Sequence, residues 1–106
     1  MNHMNKTISG DRYIKHCRNF VAHVESGGRD TYEDTFCAAF VVGAAEALSS
    51  TDAICIVPAN AAWIEHVKIV IAYADRLPPR LMSDKLGTIV TAALIRGWPC
   101  KKGENR

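Results

Sequence analysis

Four cysteines, Cys17, Cys37, Cys55 and Cys100, are the residues whose chemistry most constrains this chain. A thiol can act as a nucleophile, ligate a metal or close a disulfide, and spacing separates the three. A structural zinc site asks for close pairs such as Cys-x-x-Cys, or for histidines at four-residue steps on one helix face. Neither pattern occurs: His16 stands beside Cys17, and His23 follows seven residues after His16. A Gly-x-Ser-x-Gly elbow, a phosphate loop, a dinucleotide fingerprint and a zinc-peptidase helix are also missing from the sequence. Glu46, Glu65 and Asp75 read as charges on solvated helix faces, and His66, close to Glu65 and Lys68, reads as a surface residue. No nucleophile, base and orienter can be drawn together, so the expectation is a non-enzymatic chain with no cofactor and no metal.

The elements that must position the cysteines read as helices. Gly27-Gly28, Pro58, Pro78-Pro79 and Pro99 cut the chain into four segments of helical length. From about Ser9 to Glu25, Tyr13, Ile14, Cys17, Phe20, Val21 and Val24 repeat at three- and four-residue steps and make one apolar stripe. A second helix, about Thr31 to Leu48, carries Phe36, Cys37, Phe40, Val41, Ala44, Ala47 and Leu48, with Asp30 or Thr31 as cap and Asp34 suited to its positive end. Gly43 within it reads as a close helix contact. The third opens after Pro58 with Asn60 as cap and a stripe of Trp63, Val67, Val70, Ile71 and Ala74; Ser83 caps the fourth, where Leu86, Ile89, Val90, Ala93, Leu94 and Trp98 align. Ala53 to Val57 is too short for more than a buried connector. The expected fold is all-α: a compact bundle of four main helices in two antiparallel hairpins.

In that fold Cys17 lies roughly eleven residues before the glycine bend and Cys37 about nine after it, so at about 1.5 Å per residue their depths differ by only about 3 Å. Both sit on apolar stripes and can face each other. Cys55 precedes the third helix and Cys100 follows the fourth, which are the same end of an antiparallel pair. Pairing Cys37 with Cys55 requires the connector to double back by about 15 Å or more. A third pairing, crossing between the hairpins, is not removed by helix length alone. The preferred pairs are Cys17 with Cys37 and Cys55 with Cys100, each worth about 3 to 4 kcal/mol in the chain-entropy account.

Composition agrees with one small globular domain. The apolar fraction of 48% and charged fraction of 23% are those of a globular protein, and no apolar stretch reaches the roughly 18 to 20 residues of a bilayer crossing. The net charge of +2 is dispersed, with Lys101-Lys102 the one basic pair weighed, so nucleic acid is not the expected partner. Disulfides persist in secreted or periplasmic space. The polar opening from Met1 to Thr7 has no apolar signal core, which fits either a cytosolic protein or a mature segment whose signal has been removed; the cysteine placement favours the second, a periplasmic segment. Residues 9–101 form one domain, and 1–8 and 102–106 read as polar, flexible tails.

With these residues laid out, the chain resembles the Rap/Tai family of type VI secretion immunity proteins. The matching elements are Phe36-Cys37-x-x-Phe40-Val41-x-Gly43, Ile54-Cys55-x-x-Pro58, a helix ending near Tyr73 before Leu77-Pro78, and Ala92-Ala93-Leu94 running to Trp98-Pro99-Cys100. Cys17 after Gly10 also fits. The likeness spans about residues 9 to 101, and its markers double as fold determinants. It implies a periplasmic helical protein, often a homodimer, that binds and blocks a peptidoglycan amidase delivered by a neighbouring cell. Loops on a rigid scaffold carry binding more often than its core. The expected contacts are therefore Ser49, Ser50, Thr51 and Asp52 between the bundle halves, and Arg76 and Arg80 around the prolines. The alternative is a small periplasmic acid-stress chaperone: at about pH 2 to 3 the carboxylates protonate, the bundle loosens, and its apolar stripes meet unfolding clients.

Overall fold

The computed structural model describes residues 8–100. Four helices follow one another: α1 over Gly10–Ser26, α2 over Tyr32–Ser50, α3 over Trp63–Ala74 and α4 over Leu86–Gly97. A 3-10 turn, Pro79–Ser83, lies between the last two, and no strand occurs among the described residues. The expected tails lie outside the described residues except for Ile8, which packs partly buried against the core.

Local chemistry explains the end of α1 and the start of α2. Gly27 and Gly28 take φ values of 84° and 128°, where a side chain would be strained, so the chain turns there and α1 stops. At the start of α2 the Thr31 hydroxyl accepts from the Asp34 amide at 3.1 Å, and the Asp34 carboxylate accepts from the Thr31 amide at 3.1 Å, a reciprocal capping box.

The starts of α3 and α4 differ from expectation. Asn60 does not cap α3; Ala62 holds that position and offers no side-chain bond. Ser83 does not cap α4 either. Its hydroxyl donates to the Arg80 carbonyl at 3.0 Å inside the 3-10 turn, and Lys85 holds the cap position. For α4 the reason lies far away in sequence: the Leu86 amide donates to the Ile8 carbonyl at 2.7 Å, and the Gly10 amide to the Asp84 carbonyl at 2.9 Å. The chain's beginning thus satisfies an amide that a capping side chain would otherwise serve.

Contacts fix how the helices run. Trp98 meets His66, and Gly97 lies under Ile69, so α3 and α4 are antiparallel. Arg18 pairs with Asp75 at 2.6 Å and Lys68 with Glu25 at 2.7 Å, which makes α1 and α3 antiparallel too. Ile14, Val41, Ile54, Val67, Val70, Leu86, Ile89, Val90 and Leu94 fill the centre. Gly43 is exposed, with nothing near the place a Cβ would occupy, so the expected helix contact there is wrong. Close approaches occur instead at Gly10, under Ile89, and at Gly97, where a Cβ would meet three Ile69 side-chain carbons.

Both preferred disulfides are present: Cys17–Cys37 with Cα atoms 5.2 Å apart and Cys55–Cys100 at 5.0 Å. Beside the first sits a polar junction. Asp34 is 1% exposed, and its Oδ1 accepts from Asn19 Nδ2 at 3.3 Å and lies 2.8 Å from His16 Nδ1. His23 Nδ1 lies 2.6 Å from Asp30. Burial alone would raise the Asp34 pKa; the bonds from His16, Thr31 and Asn19 outweigh it and lower the value from 3.8 to about 2.

Two tests follow from this packing. Because Asp34 has a lower pKa folded than unfolded, its contribution is complete above about pH 4 and disappears as pH falls from 3.8 toward 2. Urea denaturation should show a loss of about 2 to 4 kcal/mol for Asp34→Ala at neutral pH, and a weakened acid dependence for Asp34→Asn. An unchanged acid slope in Asp34→Asn would remove this assignment. The glycine pair should respond in opposite directions: Gly43→Ala gains about 0.5 to 1 kcal/mol from helix propensity, while Gly97→Ala loses about 1 to 3 kcal/mol through crowding of Ile69.

Candidate partner-binding surface

The connector from α2 to α3 carries one candidate segment. Its start is engaged with its own helix: Ser50 donates to the Ala47 carbonyl at 2.8 Å and Thr51 to the Leu48 carbonyl at 3.1 Å. Ser49 is half-buried, whereas Ser50, Thr51 and Asp52 are exposed. Asp52 turns the chain with a φ of 62°, and its carbonyl lies 3.9 Å from Cys100 Sγ. The Cys55 amide donates to the Trp98 carbonyl at 3.0 Å. The end of α2, the connector and the end of α4 therefore meet at the Cys55–Cys100 bridge.

Two large apolar side chains project from this region, Val57 at 61% exposure and Trp63 at 68%. Trp63 was expected on the buried stripe of α3. It is the first residue of that helix, and the buried face begins one turn later with His66, Val67 and Val70. Only Ile54 of the Ala53 to Val57 segment is fully buried, so the expected buried connector is largely a surface one. Val24 likewise leaves its expected stripe and is 54% exposed.

His66 reverses the expectation of a surface residue, being 4% exposed. Its Nδ1 accepts from Trp98 Nε1 at 3.1 Å, with the two rings edge to face. Burial pushes its pKa down, while Glu46 and Glu65 pull it back up. Accepting through Nδ1 requires that nitrogen to be unprotonated, so the neutral ring is the form that fits. The two partners stand 32 residues apart, and no local pattern announces them.

The remaining candidates lie elsewhere. Arg80 is exposed on the 3-10 turn, at the end of the α3–α4 pair opposite the Cys55–Cys100 bridge. Arg76, just past α3, borders a groove of about 550 Å³ between α3 and α4. Arg96, not singled out in the sequence, borders it too; its guanidinium lies 6.0 Å from the centre of the Tyr73 ring. Thus Ser49–Asp52 and Arg80 occupy opposite ends, and the structure does not bring them into one site. A shallower face of about 940 Å³ crosses α2 and α4 around Phe40, Gly87, Ala92 and Ile95.

His23, Asp30 and Asp34 bring ligand-type atoms within 4.8 Å of one another. Those atoms already serve the hydrogen bonds that cap α2 and tie it to α1, so the cluster has a structural explanation. Lys68, whose pKa the Glu25 carboxylate raises, forms with Glu25 an exposed pair of little energetic weight.

Comparison with curated proteins and with solved structures gives no match. A family model, that of the Rap1a immunity proteins, matches residues 9–100, which takes in all four helices and both disulfides. On that match over nearly its whole length, the chain belongs to the Rap1a immunity proteins, the family of type VI secretion amidase immunity proteins.

Proposed function

We propose that this chain is a periplasmic immunity protein that binds a peptidoglycan amidase delivered by type VI secretion and blocks it without performing chemistry of its own. The family match over residues 9–100 carries this reading. Both bridges support the compartment, because such bonds persist in oxidising space and are rare in a reducing cytosol. A helical body closed twice by covalent bonds is also preorganised, which lowers the ordering penalty of association.

The contact surface proposed here is the stapled end, with Ser49, Ser50, Thr51 and Asp52 beside Val57 and Trp63. Tryptophan is over-represented among residues that dominate interface energies, and Trp63 stands two-thirds exposed with no ring partner among the described residues. Arg80 belongs to a separate face and is expected to contribute little.

The test uses the oxidised protein and any peptidoglycan amidase encoded near it. Near-stoichiometric inhibition is expected, with Trp63→Ala weakening binding by about 2 kcal/mol. Absence of binding to any such amidase would overturn the reading. The acid-stress chaperone is separated by one further assay: protection of unfolding clients from aggregation near pH 2 to 3, with no amidase inhibited, would replace the immunity role.

A further inference from the structure

We infer that the groove between α3 and α4 is a docking site for a carboxylate-bearing loop of the partner protein, gripped by Arg76 and Arg96. The identity of that partner rests on the immunity reading above; the chemistry of the groove does not.

The two arginines differ from the other basic residues in what surrounds them. Arg18 is neutralised by Asp75 and Lys68 by Glu25. Neither Arg76 nor Arg96 forms an ion pair within the described residues, and no carboxylate lines the groove they share. Arg12, Lys15, Arg29, Arg80 and Lys85 also lack such a pair, but none of them borders this groove. The rest of the groove's lining is largely apolar, with Ile69, Leu77 and Ala93 beside the Tyr73 ring. Gly97 keeps the Ile69 side of the groove close-packed, since even a methyl group there would collide with that side chain.

This combination specifies a ligand. A guanidinium offers a planar fork of donors matched to a carboxylate, and Tyr73 restricts where the Arg96 fork can stand. An apolar groove bordered by two such forks favours an acidic residue flanked by aliphatic ones, as on a loop or extended segment. A nucleic-acid backbone would call for a longer basic track than two arginines. Charge complementarity therefore selects an acidic protein segment.

The probe is an acetylated, amidated pentapeptide alternating leucine with aspartate and glutamate, set against its asparagine and glutamine counterpart. Titrated at low ionic strength into the isotope-labelled, oxidised protein, the acidic peptide should shift the backbone amides of Ala72, Tyr73, Ala93 and Gly97. The amide peptide should leave them in place. Combining Arg76→Glu with Arg96→Glu should weaken the acidic peptide at least about tenfold, and the paired lysine variant should weaken it only a few-fold. Unchanged spectra outside the groove verify that the variants stay folded. Equal response to both peptides, no response to the acidic one, or full binding by the double glutamate variant each overturns the inference. If the acidic peptide binds in the groove while no amidase is inhibited, the docking chemistry stands and the immunity reading falls. If the amidase is inhibited equally well by the double glutamate variant and the peptide does not bind, the groove falls and the immunity reading stands.

Discussion

The bond between Cys55 and Cys100 is the constraint on which the exposed end of this molecule depends. Between α2 and α3 the chain forms neither helix nor strand, and nothing regular in its own backbone would hold it. The bridge closes 45 residues of sequence and ties that connector to the end of α4. In the chain-entropy account such a closure is worth about 4 kcal/mol, against about 3 kcal/mol for the 20-residue closure of Cys17–Cys37. For a domain of this size those are large fractions of the total stability. The amide of Cys55 on the Trp98 carbonyl, and the Trp98 indole on His66, extend the same tie inward to the core.

The two buried polar side chains show opposite solutions to the same problem. Asp34 stays charged in the interior because three neighbouring residues supply donors to its carboxylate. His66 lies where desolvation favours the uncharged ring, and one indole hydrogen bond suffices for it. Within the described residues no buried side-chain nitrogen or oxygen is left without a partner. The polar interior is therefore as specific as the apolar one, since either site would be left unsatisfied in a different helix arrangement.

What could be read from the sequence follows from how far each determinant acts along the chain. Helix existence was legible because the apolar period and the Gly and Pro stops are local. The cysteine pairs were legible as a preference, because helix rise matches the depths of Cys17 and Cys37 and an antiparallel pair puts Cys55 and Cys100 at one end, while the crossing pairing stayed open. The start of α4 was not legible, since the amide of Leu86 finds its acceptor at Ile8, nearly eighty residues earlier in the chain. Gly43 and Gly97 look alike in sequence, yet only the second lies against a neighbouring helix. The polar junction at Asp34 was glimpsed only as a favourable charge at a helix start. Of the binding surface, Arg76 was legible from its loop position, while Arg96 and Trp63 needed the tertiary arrangement to show one beside a groove and the other facing outward. The family's markers are cysteines, prolines and core residues, which specify architecture and leave partner choice to residues outside the pattern.

The two tryptophans have been placed in contrasting surroundings, and the difference makes the molecule its own optical gauge. Trp63, open to water at the start of α3, should emit at long wavelength and respond to anything laid over that end. Trp98, half-enclosed with its indole nitrogen on His66, should emit to the blue and stay quiet until the interior itself opens. A single emission spectrum can thus tell engagement of a partner from loss of the fold.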